Sequence, residues 1–230
     1  MPTEKEVYSN HAQEYEALVS REDYQGNLLK AINEVIDPNG LVALDLGTGT
    51  GRFACMLVRY VSRMMAFDLS LSMLEVAHDR LTRLDQGNWL VAASDHRALP
   101  MPAHSVDLVV SGWSVSYLTV WNPDDWRAQA EAWLSEAKRV LRGGGSIILF
   151  ESLGTGTEKP QRLPHLENFY AWLNEMGFRD NWIRTDYRFE SPEAGSEITA
   201  FFFGEEMGNR VERERLTVLP ECTGMWWLKI

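Results

Sequence analysis

Short apolar runs alternate with amphipathic segments between residue 41 and about residue 150. A short apolar run is typical of a buried strand, whereas apolar residues three and four positions apart are typical of a helix. Because strands alternate with helices at this spacing, we expect parallel βαβ units in a doubly wound α/β sheet. The predicted strands are Leu41–Leu46, Met64–Phe67, Trp89–Ala93, Val106–Ser111 and Ser146–Phe150.

Helices are predicted between these strands. One follows the glycine-rich segment after the first strand and runs to about Val61, and Ser70–Leu84 is amphipathic. Asn122-Pro123-Asp124-Asp125 offers an N-cap, a proline at the first helical position and acids in the first turn. We expect this helix to reach Arg142 and to end at Gly143-Gly144-Gly145.

Two further segments flank the alternating core. Residues 1–40 show helical spacing that ends at Asp37-Pro38-Asn39-Gly40. After the core, the pattern predicts a helix at Leu163–Met176, a strand at Trp182–Phe189, a helix start at Ser191-Pro192-Glu193 and a last strand at Met225–Ile230. We therefore expect one domain over residues 1–230, with a helical cap (1–40), a core (41–151) and a C-terminal half (152–230) that carries an insertion at about 191–222.

Composition and charge narrow the class of protein. The 230 residues include 22 Lys and Arg against 33 Asp and Glu, a formal charge of −11. Nucleic-acid and acidic membrane partners are disfavoured, because both need clustered cations. No apolar run approaches the roughly 20 residues of a membrane span, and the N-terminus lacks the pattern of a signal peptide. Cys55 and Cys222 are too far apart in the sequence to indicate a disulfide framework, so we expect a cytoplasmic protein.

The most informative segment is the glycine-rich loop, Asp45-Leu46-Gly47-Thr48-Gly49-Thr50-Gly51. A predicted strand ends on an acid, and a helix starts directly after the last glycine. Without Cβ atoms, the backbone can turn tightly and lie against a ligand, and the helix N-terminus faces the same side. The segment therefore predicts a cofactor site.

Two cofactors fit such a loop. Gly49-x-Gly51-x-x-Ala54 matches the dinucleotide fingerprint, with Asp68 near the expected distance of about 20 residues downstream. That match leaves Asp45 and Gly47 unexplained. The longer pattern Asp45-x-Gly47-x-Gly49-x-Gly51 resembles the first motif of class I S-adenosylmethionine-dependent methyltransferases.

The resemblance covers residues 41–151, and the matching motifs occur in the same order as in the family. The most similar patterns are those of small-molecule methyltransferases, which include quinone-ring and natural-product methyltransferases. It implies a Rossmann-like, seven-stranded, mostly parallel sheet with N-terminal helices and a helical insertion before the last strand. The other matching segments are Phe67-Asp68-Leu69-Ser70, Ala93-Ser94-Asp95-His96-Arg97-Ala98-Leu99-Pro100, Val106-Asp107-Leu108-Val109-Val110-Ser111-Gly112-Trp113 and Arg139-Val140-Leu141-Arg142-Gly143-Gly144-Gly145.

Within this family pattern, Asp68 accepts hydrogen bonds from both ribose hydroxyls, Asp95 holds the adenine amino group and Met73 packs near the adenine. By a looser analogy, Arg21 is placed at the cofactor carboxylate. A helix cap remains an alternative for Asp68 and Asp95, as does a solvated helix position for Arg21. The implied cofactor residues are Arg21, Asp45, Gly47, Thr48, Gly49, Gly51, Asp68, Leu69, Met73, Ser94, Asp95, His96, Ser111 and Trp113.

No acid–base constellation stands out in the sequence, and we predict no metal site. His11 and His165 are candidate general bases, whereas Asp107 is expected to be structural. Methyl transfer from an activated sulfonium requires mainly that the acceptor is aligned and that water is excluded. The absence of an obvious catalytic residue in the sequence therefore agrees with a methyltransferase. The alternatives are a non-catalytic cofactor-binding module and an NAD(P)-dependent oxidoreductase.

We expect the acceptor site to lie between the two flanking segments. Tyr8, Tyr15 and Tyr24 at one end and Phe201-Phe202-Phe203 at the other are aromatic and have no assigned role in the core. Three consecutive residues cannot all face one side of a helix, so some of these phenylalanines are available to a pocket. Such a pocket suits a flat or apolar small molecule. Residues 5–25 and 191–215 are then a candidate lid, with structural cover for the sheet edge as the alternative.

Overall fold

A central sheet organises the computed structural model, which describes Glu6 and residues 10–230. The predicted Tyr8 lies outside the described residues. The described strands are β1 Val42–Leu46, β2 Arg63–Asp68, β3 Trp89–Ala93, β4 Val106–Gly112, β5 Leu141–Thr155, β6 Arg179–Arg184, β7 Tyr187–Arg188, β8 Val218–Leu219 and β9 Glu221–Lys229.

The main sheet has seven strands in the order β3-β2-β1-β4-β5-β9-β6, while β7 and β8 form a separate pair. Strands β1 to β5 pair in parallel, and β9 lies antiparallel between β5 and β6. The doubly wound α/β prediction is confirmed. Strand order reverses between β1 and β4, and a ligand of such a sheet binds at the carboxyl ends of the strands there.

Helices cover both faces of this sheet. Their bounds are α1 Ala12–Val19, α2 Asn27–Val35, α3 Arg52–Leu57, α4 Leu71–Arg83, α5 Tyr117–Trp121, α6 Trp126–Val140, α7 Glu167–Glu175, α8 Pro192–Phe203 and α9 Glu205–Arg213. Two predicted helix starts are confirmed, because the Ser70 and Ser191 side chains accept from the backbone N–H three residues later. In the described part of the chain, every helix is too short or too polar to cross a membrane.

Alternate residues of β1 supply two apolar layers. Leu44 and Leu46 belong to a cluster with Trp133 and Trp172, whereas Ala43 belongs to a cluster on the other face. This alternation follows from the period of two along a strand. Full burial of one such large side chain contributes about 1.5–3 kcal/mol to folding. Packing on both faces fixes the strand ends that carry the site.

Two predicted helix ends differ from the structure. The helix after the glycine loop stops at Leu57, because the Asn88 side chain donates to the carbonyls of Val58 and Val61 and holds a turn there. The helix predicted from Asn122 begins instead at Trp126. Asn122 already ends α5, donating its backbone N–H to the carbonyl of Leu118, so it cannot cap the next helix.

The glycine triplet is part of a strand rather than a turn. Gly144 and Gly145 form backbone hydrogen bonds with Ile230, which extends β5 back to Leu141. The predicted strand Trp182–Phe189 is also divided, because β6 belongs to the main sheet and β7 pairs with β8. The break lies at Asp186, whose Oδ1 accepts from Arg184 and from the backbone of Glu221.

Candidate functional site

A cavity of about 750 Å³ lies at the carboxyl ends of β1, β2, β3 and β4. This is the edge that the change of strand order predicts for a ligand. Its volume falls in the range of about 300–1,000 Å³ that is usual for small-molecule sites. Eight residues predicted from the sequence line it: Gly47, Thr48, Gly49, Asp68, Leu69, Ser94, His96 and Trp113.

The glycine loop forms the floor of this cavity. Gly47, Gly49 and Gly51 all have positive φ, between 54° and 85°. A Cβ at Gly47 would lie 1.8 Å from Ser114 Oγ, and one at Gly51 would lie 3.1 Å from Ala77 Cβ. A Cβ at Gly49 would meet only the Tyr15 ring at 3.8 Å. Gly47 and Gly51 are therefore needed for packing, whereas Gly49 leaves its space to the cavity.

Asp45 lies beneath the loop and positions it. The carboxylate is 1% exposed, and its Oδ2 accepts from Thr48 Oγ1 at 2.6 Å and from Ala54 N at 3.1 Å. The other oxygen, Oδ1, has no hydrogen-bond partner among the described residues. Burial raises the pKa of Asp45 to about 7. Asp45 does not line the cavity but holds the loop through Thr48 and Ala54, and its contact with the cofactor stays a prediction.

Asp45 should make folding stability depend on pH. Its folded-state pKa of about 7 lies above the unfolded value, so its contribution is fully present below about pH 4 and is lost as the pH rises towards 7. The loss amounts to at most about 1.4 kcal/mol per pH unit. Asp45→Asn should lack this slope. Urea unfolding of both proteins at about pH 5 and pH 7 measures the difference, and an identical pH dependence would contradict the assignment.

Asp68, at the end of β2, lies on the cavity wall and also holds the loop. Its Oδ2 accepts from the backbone N–H of Gly49 at 2.8 Å, and its Oδ1 accepts from that of Ser70 at 2.9 Å. Ser70 rather than Asp68 caps α4, so the alternative of a helix cap does not apply to Asp68. A carboxylate has about four acceptor positions, so each oxygen retains capacity for a ligand hydroxyl.

The segment after β3 is arranged differently from the expectation. Ser94, His96 and Arg97 line the cavity, but Asp95 does not. The Asp95 carboxylate is engaged by Arg97, whose guanidinium lies 2.5 Å away and whose backbone N–H also donates to it. These bonds lower the pKa of Asp95 to about 2. Burial lowers the pKa of His96 to about 4, so its imidazole is neutral.

Four other predicted residues are not on the cavity wall. Gly51 packs on α4, and Met73 is fully buried against Val76. Ser111 donates its hydroxyl to the carbonyl of Leu46 at 2.6 Å, which joins β4 to β1. Arg21 donates to the carbonyl of Ala17 and lies 3.6 Å from Glu190. The side chains of Met73, Ser111 and Arg21 are thus occupied within the protein, and the contact of these four residues with the cofactor stays a prediction.

Arg52, which was not among the predicted site residues, is a cation on the wall of the cavity. It is the first residue of α3, and its guanidinium lies 4.3 Å from the centre of the Trp113 ring. One nitrogen, Nη2, is 2.7 Å from Glu22 Oε2. The other, Nη1, is buried and finds no acceptor among the described residues. The available signal was the position of Arg52 directly after the last glycine of the loop.

A second cavity of about 410 Å³ adjoins the first. Tyr15, Val19, Arg52, Trp113 and Tyr117 line both, so the two spaces meet at these residues. Phe201, Phe202 and Phe203 from α8 also line the smaller cavity, as does His165. The expectation that these phenylalanines border a pocket is confirmed.

The predicted His11 and Tyr24 lie outside this wall. His11 packs edge-on against Phe201, with ring centres 5.4 Å apart, and does not line the cavity. Tyr24 lies under the guanidinium of Arg188, 3.8 Å from ring centre to Cζ. Of the two candidate bases, only His165 remains at the smaller cavity.

Glu151 is a buried carboxylate on the same wall. It follows Phe150, which pairs with Gly112 of β4. Its oxygens accept from the backbone N–H of Ser116 at 3.1 Å and from the Ser116 hydroxyl at 2.7 Å. Burial raises the pKa of Glu151 to about 7. The sequence signal was a charged residue directly after a fully apolar strand. Asp107, by contrast, pairs with Arg142 at the opposite edge, as a structural residue does.

Comparison with known proteins agrees with this geometry. A family model described as a methyltransferase domain matches residues 44–149, which contain the glycine loop and the strands around the larger cavity. The chain is also similar in structure to an S-adenosylmethionine-dependent methyltransferase from Aquifex aeolicus, with a TM-score of 0.56 and 19% identity, over 87% of this chain and 88% of that one. At this identity, the likeness concerns the fold.

Two curated relatives add sequence similarity. The chain is 31% identical over 151 residues to a malonyl-[acyl-carrier protein] O-methyltransferase of Yersinia pestis, covering 66% of this chain and 50% of the relative. It is 27% identical over 158 residues to a demethylmenaquinone methyltransferase of Lactococcus lactis, covering 64% and 58%. The chain thus spans about half the length of the curated relatives it matches.

Proposed function

We propose that the chain is a class I S-adenosylmethionine-dependent methyltransferase that transfers a methyl group to a small-molecule acceptor. The observation that carries this proposal is the pair of adjoining cavities. The larger one rests on the glycine loop and Asp68, and the smaller one is lined by seven Phe, Tyr and Trp side chains among other residues. A cofactor and an acceptor held in such neighbouring spaces meet at the shared wall.

The residues of the larger cavity fit S-adenosylmethionine. Asp68 offers two oxygens to ribose hydroxyls, and Gly49 leaves room for close approach to the backbone. The unpartnered Nη1 of Arg52 is a donor for the cofactor carboxylate, in place of Arg21. Leu69 is 64% exposed in this structure and supplies apolar cover beside the ribose site. We retain Asp45, Gly51 and Ser111 as residues that position the loop and the strands.

S-adenosylmethionine supplies a methyl group that its positive sulfur already activates. The protein then has to align the acceptor and exclude water. Alignment can account for about 7–11 kcal/mol of the barrier when the reacting atoms are held in line. Tyr15, Trp113 and Tyr117 lie where the two cavities meet and form that alignment surface.

Calorimetry tests the proposal against its alternatives. Titration with S-adenosylhomocysteine should show one site per chain, and titration with NAD should show none. NAD binding in place of S-adenosylhomocysteine would instead support an oxidoreductase. A screen of small-molecule acceptors that detects S-adenosylhomocysteine formation then separates an enzyme from a non-catalytic binding module.

The acceptor is proposed to be a free small molecule. The name of the Yersinia pestis relative describes an acceptor attached to an acyl-carrier protein, which is the alternative. Turnover of a free acceptor without any carrier would support the proposal, and turnover of the carrier-linked form alone would favour the alternative. We keep the cytoplasm as the proposed location, because Cys55 and Cys222 are both free thiols.

The flanking segments are proposed to close over the cavities when cofactor binds. Tyr15 of α1 and Phe202 of α8 are in edge-on contact, with ring centres 6.3 Å apart, and both line the smaller cavity. Cofactor should therefore slow amide exchange in residues 10–25 and 191–215 as well as in the glycine loop. Hydrogen exchange with and without S-adenosylhomocysteine measures this. Protection confined to the loop and the Asp68 region would show that these segments are structural cover.

A further inference from the structure

Glu151 lies close to the place where the two cavities meet. Its neighbour Phe150 pairs with Gly112, and Gly112 lines the larger cavity while Glu151 lines the smaller one. The Glu151 side chain therefore borders the smaller cavity, which is the proposed acceptor site. It comes one residue after Phe150, whose partner Gly112 borders the larger cavity. Only 2% of Glu151 is exposed to solvent.

The surroundings of Glu151 suit a group that accepts a proton. Its hydrogen bonds come from neutral donors, namely the backbone N–H and the hydroxyl of Ser116 and the backbone N–H of Ser114. A carboxylate has about four acceptor positions, so these three bonds leave about one for a donor in the cavity. Burial raises its pKa to about 7, near the value at which a carboxylate is most useful as a base at neutral pH.

The charges on the wall disfavour an acidic acceptor. Among the described residues that line the smaller cavity, Arg52 is the only lysine or arginine. Glu22 binds its Nη2 at 2.7 Å, and its Nη1 is the donor proposed above for the cofactor carboxylate. With cofactor bound, an acceptor carboxylate would therefore meet the Glu151 carboxylate without a free cation to compensate it. Two like charges brought together out of water are unfavourable. A neutral hydroxyl, by contrast, donates to a carboxylate.

We propose that Glu151 is the general base for an acceptor that carries a hydroxyl group on a flat apolar skeleton. The hydroxyl proton passes to the Glu151 carboxylate as the hydroxyl oxygen forms its bond to the methyl carbon. The carbon–sulfur bond breaks, and its electron pair goes to the sulfur. Trp113, Tyr117 and the three phenylalanines of α8 provide the flat apolar walls. This inference rests on the proposed function and specifies its substrate class.

Two probes of the same shape test the inference by binding alone. Calorimetry at about pH 8, where Glu151 is ionised, compares 2-naphthol with 2-naphthoate in protein saturated with S-adenosylhomocysteine. In the wild-type protein, 2-naphthol should bind at least about tenfold more tightly, because only the hydroxyl donates a charge-assisted hydrogen bond. Glu151→Gln should lower the affinity for 2-naphthol by about tenfold and should raise the affinity for 2-naphthoate.

Glu175→Gln is the matched control, because Glu175 is an exposed carboxylate of α7 that lines neither cavity. It should leave both affinities within about twofold. The inference is overturned if 2-naphthol fails to bind, if wild-type protein binds 2-naphthoate as tightly, or if Glu151→Gln changes both probes alike. The wild-type comparison needs no variant to fold. Failure of S-adenosylhomocysteine to bind would instead count against the proposed function.

Discussion

Gly49→Val should abolish cofactor binding while the protein remains folded. Gly49 has a φ of 54°, and a Cβ there has no heavy atom nearer than the Tyr15 ring at 3.8 Å. The protein itself thus has room for the added Cβ, and we expect the branched side chain to fill the space above the loop that the cofactor needs. A branched side chain at positive φ adds backbone strain of about 1–3 kcal/mol. We expect affinity for S-adenosylhomocysteine to fall by at least about a hundredfold.

Gly87→Val separates this effect from strain alone. Gly87 also has a positive φ, of 66°; no atom lies within 4 Å of an added Cβ there, and Gly87 does not line the larger cavity. We expect this control to lose a similar amount of folding stability and to keep the wild-type affinity for S-adenosylhomocysteine. Calorimetry gives the affinities, and thermal unfolding shows that both variants fold. Unchanged affinity in folded Gly49→Val protein would remove the glycine loop from the cofactor site.

Asp68→Ala should weaken cofactor binding by at least about tenfold, because each lost charge-assisted hydrogen bond contributes about 1.5–3 kcal/mol. The structure adds a second reason. The Asp68 carboxylate also accepts from the backbone of Gly49 at 2.8 Å, so its removal loosens the loop. Asp68→Asn should reduce the affinity for the cofactor less than Asp68→Ala does, since the amide keeps one acceptor oxygen.

Asp79→Ala provides the reference for Asp68, because Asp79 is an exposed acid on α4 and is not on the cavity wall. Its affinity for S-adenosylhomocysteine should equal that of the wild-type protein within about twofold. Equal affinities for the Asp68→Ala and Asp79→Ala proteins, measured by calorimetry, would mean that Asp68 does not contact the ribose and that its hydrogen bond to the loop is not needed for binding.

The fold and the cofactor side were predictable because their signals are local. Positive φ at Gly47, Gly49 and Gly51 follows from adjacent residues, and apolar runs predict the buried strands without reference to distant contacts. The same locality explains the confirmed starts of α4 and α8, where a serine caps the helix through a backbone N–H three residues later.

The acceptor side was predictable only in outline. Its wall combines Tyr15, Arg52, Glu151 and the phenylalanines of α8, which are far apart in the sequence and meet only through the topology. The sequence does not show that Arg52 rather than Arg21 is the cation beside the cofactor. The position of the Arg52 guanidinium depends on its ion pair with Glu22, which is 30 residues away in the sequence. For Asp95, the decisive contact is local. Arg97, two residues later, binds the Asp95 carboxylate, and Asp95 does not line the cavity.

A crystal structure of the protein with S-adenosylhomocysteine would show whether the larger cavity is the cofactor site. We expect density in the cavity of about 750 Å³, with ribose hydroxyls on Asp68, the carboxylate on Arg52 Nη1 and the sulfur facing the cavity of about 410 Å³. Saturating ligand that leaves the larger cavity empty, or that places its ribose away from Asp68, would contradict this expectation.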